Sequence, residues 1–75
     1  MDYDTYYSRG LVHNKMGQYD KAISDYTKAI ELNPKHADIY YSRGLAHNKM
    51  GQYDKAISDF TEAIKLKSKT ASLHQ

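Results

Sequence analysis

YYSRGLVHNKMGQYDKAISDYTKAIEL at residues 6–32 returns as YYSRGLAHNKMGQYDKAISDFTEAIKL at residues 40–66, 34 positions further on. Aligned over 3–36 and 37–70, the two copies agree at 25 of 34 positions. The nine differences are Tyr3/Ala37, Thr5/Ile39, Val12/Ala46, Tyr26/Phe60, Lys28/Glu62, Glu31/Lys65, Asn33/Lys67, Pro34/Ser68 and His36/Thr70. A fixed period of this size marks supersecondary units that stack, because a single unit cannot bury its own apolar face. The reading divides the chain into a first unit at 3–36, a second at 37–70 and a tail at 71–75.

Each copy reads as two helices. Asp2 or Asp4 suits the N-cap of the first, and the pattern runs over 3–16 to a basic Lys15 and then Gly17, a residue fitted to a helix C-terminus. Over 19–32, Tyr19, Ala22, Ile23, Tyr26, Ala29, Ile30 and Leu32 recur at three- and four-residue intervals, the spacing of an amphipathic helix. Asn33-Pro34 ends it, since proline disfavours helix in the residue before it. The second copy predicts helices over about 37–50 and from about Tyr53. There Lys67-Ser68 replaces Asn33-Pro34, so either a polar tail follows Leu66 or the helix extends into the low seventies.

Composition narrows the function. Eleven Lys and Arg against nine Asp and Glu give a net charge of +2, too balanced to point to nucleic acid. The chain has no cysteine, which removes disulfides, thiolate metal sites and cysteine nucleophiles. No apolar run is long enough for a membrane span and no signal peptide is evident, so an intracellular, cytoplasmic-type soluble protein is the expectation. Eight tyrosines, one phenylalanine and no tryptophan suit thin helical layers, in which the ring packs and the hydroxyl reaches water.

The pattern resembles the tetratricopeptide repeat, whose 34-residue unit carries W-x₂-L-G-x₂-Y…A-x₃-F…P. The first copy offers Tyr6, Arg9, Gly10, His13, Ala22, Tyr26, Ala29 and Pro34; the second offers Tyr40, Arg43, Gly44, His47, Ala56, Phe60, Ala63 and Ser68. The resemblance implies an all-α, two-repeat helix-turn-helix array of four antiparallel helices, a fragment of an α-solenoid. It also implies a scaffold that binds a protein or peptide in a groove lined by the first helix of each repeat. Groove positions carried over by spacing include Tyr7, Leu11, Asn14 and Lys15, then Tyr41, Leu45, Asn48 and Lys49. Members that clamp a C-terminal carboxylate use Lys and Asn where this chain has Tyr7, Leu11 and Ser42, so that specialisation is not expected. Arg9 and Arg43 stand where the signature has leucine, and a pairing with Asp25 or Asp59, Arg43 with Asp25 foremost, would compensate their burial.

Catalysis has little support. Ser8 with His13 and Ser42 with His47 are five residues apart on one helix, and no orienting third group or phosphate loop accompanies them. His13 and His47 lie a whole repeat apart, not at the spacing that lets two imidazoles share an ion, so neither metal nor cofactor is expected. They read better as partly buried packing residues.

The last feature is an uncovered end. The face around Tyr26 and Ile30 has the next helix to cover it, through Ile39 and Tyr40, whereas Phe60 and Ile64 have none. Three remedies are open: Leu73 folds back over the face, two chains pair their last helices with two-fold symmetry, or chains exchange a helix or hairpin. A homo-oligomer, a dimer first, is the expectation, and self-assembly is the second reading of function.

Overall fold

The computed structural model describes the backbone of residues 1–72 and the side chains of residues 1–69. Four helices follow one another: α1 (Tyr3–Lys15), α2 (Tyr19–Leu32), α3 (Ala37–Lys49) and α4 (Tyr53–Ser72). Among the described residues there is no strand. Each helix packs on its sequence neighbour, and α1 also touches α3, giving a slab of 41 × 29 × 17 Å.

Local chemistry sets the ends. The Asp2 carboxylate accepts from the Thr5 amide at 3.0 Å and from its hydroxyl at 2.8 Å, satisfying an amide that the first turn leaves free. At the other end Met16 is the cap. The Gly17 amide donates to the Asn14 carbonyl at 3.0 Å, and the Gln18 amide to that of His13 at 2.9 Å. This pair of hydrogen bonds is the Schellman closure, and it requires the positive φ of 76° that Gly17 adopts. The same bonds close α3, through Gly51 at φ 75° and Gln52. Asn33 caps α2 at φ −143° and ψ 82°, outside the helical region that a following proline disfavours, and the Tyr40 hydroxyl donates to the Pro34 carbonyl at 3.0 Å.

Without that punctuation α4 continues to Ser72. Helices α1 and α3 each end one residue before the expected positions 16 and 50, at their methionine caps. Leu73 lies outside the described residues.

The core sits midway through the stack. Ala22, Tyr26 and Ala29 of α2 meet Ile39 and Ala46 of α3, all five fully buried. Covering Ile39 alone is worth about 1.5–3 kcal/mol. Within each hairpin a glycine sets the closeness of approach. A Cβ on Gly10 would stand 2.6 Å from the Tyr26 ring, and one on Gly44 would stand 2.7 Å from that of Phe60.

Candidate functional site

The α1–α3 side is fixed by one bond: the hydroxyls of Tyr7 and Ser42 are 2.9 Å apart. Tyr7 is half-buried, its ring 5.8 Å from that of Tyr26 and 6.1 Å from that of His36, so it joins the repeats. Leu11 and Leu45 stay 41% and 40% exposed, and Tyr41 stays 53% exposed. Lys15, Asn48 and Lys49 are exposed, while Asn14 is half-buried.

Tyr41 also belongs to a second feature. Its ring lies 5.5 Å from that of Phe60, and with Ala63 and Ile64 the two line a recess of about 610 Å³ between α3 and α4. Asp38 and Lys67, paired at 3.4 Å, stand at its rim. Tyr41, expected to line the groove, and Phe60 and Ile64, expected to mediate self-association, therefore share one apolar surface. Sequence reading kept them apart, because it assigned each helix a single task. Their convergence could have been found by asking which pocket Ile39 fills in the first repeat and whether the second repeat has one like it.

The two repeats make a direct comparison. Tyr19, Ile23, Tyr26 and Ile30 of α2 are all buried or half-buried beside α3. Their counterparts on α4, Tyr53, Ile57 and Ile64, are 62%, 61% and 65% exposed, and only Phe60 is half-buried.

The arginines depart from the expected pairing. Arg43 does not bridge to Asp25. Each arginine instead grips the aspartate of its own hairpin: Arg9 binds Asp25 through Nε and Nη2 at 2.9 and 2.8 Å, and Arg43 binds Asp59 at 2.8 and 2.7 Å. Antiparallel helices juxtapose positions equidistant from their turn, and Arg9 and Asp25 each stand eight residues from Gly17, as Arg43 and Asp59 do from Gly51. What Arg43 adds between repeats is a bond from Nη1 to the Thr27 hydroxyl at 3.2 Å. The hydrogen bonds from Arg9 hold the Asp25 carboxyl below its ordinary range, against the opposing effect of burial. Asp59 in turn raises the pKa of the Arg43 guanidinium.

His47 is buried and His13 half-buried. Their Nδ1 atoms lie 2.9 Å (His13) and 2.7 Å (His47) from the side-chain oxygens of Gln18 and Gln52, and each Nε2 lies 3.7 Å from the same aspartate that the arginine holds. These imidazoles complete the hairpin network. Among the described residues no group of three or more His, Asp or Glu could hold a metal ion. Nor, among them, is any helix long and apolar enough to cross a membrane.

A family model described as the tetratricopeptide repeat matches residues 3–36 and again 37–69. Solved structures are similar as well, two of MamA among them. The crystal structure of MamA is 40% identical with a TM-score of 0.90, covering 93% of this chain and 41% of that one. A second crystal structure of MamA protein, also 40% identical, has a TM-score of 0.85 and covers 93% and 38%. The chain thus spans about two fifths of the MamA chains it matches. No curated protein matches it.

Proposed function

Because this chain belongs to the tetratricopeptide-repeat family, we propose that it is a non-catalytic scaffold that binds a peptide or helix of another protein in the groove lined by α1 and α3. The observation that carries this reading is the exposure of Leu11, Tyr41 and Leu45 beside the Tyr7–Ser42 bond. Aliphatic and aromatic side chains left wet on one surface, with rigid helices beneath them, are what an anchor residue of a partner needs. Asn14, Lys15, Asn48 and Lys49 add amide donors and ammonium charge at one end of that surface, which favours a segment carrying an acidic group.

The test is selection from a displayed random-peptide library on the wild-type chain. Selected peptides should lose binding to the Tyr41→Ala, Leu45→Ala double variant while its helical signal stays unchanged. Peptides held equally by both proteins would remove the groove from consideration.

A second reading is favoured by the exposed row on α4. Tyr53, Ile57 and Ile64 are each more than half exposed, and covering such side chains yields roughly 1.5–3 kcal/mol each. The partner at that face is a second copy of the chain. Phe60 and Ile64 are its central contacts.

A further inference from the structure

The open α4 face has a template for its occupant inside the same molecule. On the equivalent face of α2, helix α3 supplies the fully buried Ile39 and Ala46, and Arg43 reaches Thr27 with Nη1. One face of α1 carries the same layout one repeat earlier: Thr5, Arg9 and Val12 stand where α3 has Ile39, Arg43 and Ala46. Among the described residues nothing covers that face. Val12 is 57% exposed, Met16 is 64% exposed, and half of the Arg9 side chain is in water. Among the described residues, the α1 and α4 faces are thus the two halves of an interface the chain already forms once internally.

Resting on the self-association reading, we infer that copies of this chain associate head to tail, the α1 face of one seating on the α4 face of the next. Arg9 spends Nε and Nη2 on Asp25, leaving Nη1, the nitrogen that Arg43 gives to Thr27. Thr61, the counterpart of Thr27, is the acceptor it meets on the neighbouring copy. Ser8 stands to Tyr41 of that copy as Ser42 stands to Tyr7 within the chain. Charge agrees at the rim: α2 ends where α3 begins, so the same docking brings Asp2 and Asp4 toward the α4 end that carries Lys65, Lys67 and Lys69. A two-fold pairing of α4 with α4 would leave Val12 wet, whereas head-to-tail docking covers it as its counterpart Ala46 is covered.

Two consequences follow from the geometry. The contact is heterologous and does not close on itself, so the assembly grows with concentration and does not stop at a dimer. It is also weaker than its internal template, because Thr5 stands where Ile39 fills the pocket. Thr5→Ile should restore that side chain and tighten association about tenfold or more.

Sedimentation velocity over a concentration series tests this on the full chain, with circular dichroism to verify that each variant is folded. Val12→Glu blocks the α1 face and Ile64→Glu blocks the α4 face, both at exposed positions. Wild type should grow into species beyond the dimer, and each variant alone should stay monomeric. An equimolar mixture of the two variants should form a heterodimer and stop there, since one good α1 face remains for one good α4 face. A dimer that survives Val12→Glu would overturn the head-to-tail mode and leave self-association through α4 standing. Wild type monomeric at every concentration would overturn both. A Thr5→Ile chain no more associated than wild type would count against the proposed seat of α1.

Discussion

Arg43 locks α3 to α4 by donating from Nε and Nη2 to the two carboxylate oxygens of Asp59, at 2.8 and 2.7 Å. The aspartate side chain is 6% exposed and the arginine side chain 21%. Removing the cation leaves a buried carboxylate without its partner, which costs far more than a surface pair. Arg43→Ala should therefore destabilise the fold by about 3 kcal/mol. Arg43→Lys should recover only part of that loss, since an ammonium cannot make the forked contact. Arg9→Ala, at the half-exposed copy, should cost distinctly less. Urea denaturation of the three variants checks the order.

The Arg9–Asp25 pair makes part of the stability acid-sensitive. The folded pKa of Asp25 lies below the ordinary 3.8. Its contribution is complete above that value and is lost as pH falls through the lower folded one. Asp25→Asn should be less stable at neutral pH and should show a shallower loss on acidification from about pH 5 to about pH 2. Urea midpoints across that range give the comparison.

Tyr26 tests the cost of an orphaned hydroxyl. Its Oη is buried and has no hydrogen-bond partner among the described residues, and burial pushes its pKa up to about 12. Tyr26→Phe, the residue the second repeat already uses, should stabilise the chain by about 1 kcal/mol. The raised folded pKa means that stability holds below about 10 and is lost as pH climbs through about 12. The phenylalanine variant should lack that alkaline loss, which thermal melts in alkaline buffer would register.

The two close-approach glycines should respond unequally. A methyl at either position overlaps an aromatic ring, but the Tyr26 ring is sealed under α3 while Phe60 borders the open recess and can yield. Gly10→Ala should cost about 1–3 kcal/mol by overpacking. Gly44→Ala should cost less, offset by about 1 kcal/mol of improved helix propensity. Equilibrium unfolding of the two single variants is sufficient.

Much of this architecture is written locally. The repeat offset, the glycines at 17 and 51 and the Asn33-Pro34 stop place every turn between helices, because each acts through its own backbone. The end of α4 stays open at that level, since nothing in Lys67-Ser68 forces or forbids another turn. The arginine partners fail for a different reason. Asp25 and Asp59 are chemically equal candidates for Arg43, and the choice depends on how far each lies from the turn about which the helices fold back. The recess is harder still to read, because Phe60 and Ile64 share a face of α4 but Tyr41 joins them only when α3 lies on α4.

The turns at Gly17 and Gly51 carry one more implication. An L-residue's Cβ at either position would meet nothing within 4 Å, yet φ stands at 76° and 75°. What these corners exclude is therefore a hand and not a volume. L-alanine would be strained there by chirality alone, while a D-alanine, whose preferred backbone is the mirror image, would adopt the turn at ease and restrict the unfolded chain. At two achiral α-carbons, a fold built from one enantiomer briefly asks for the other.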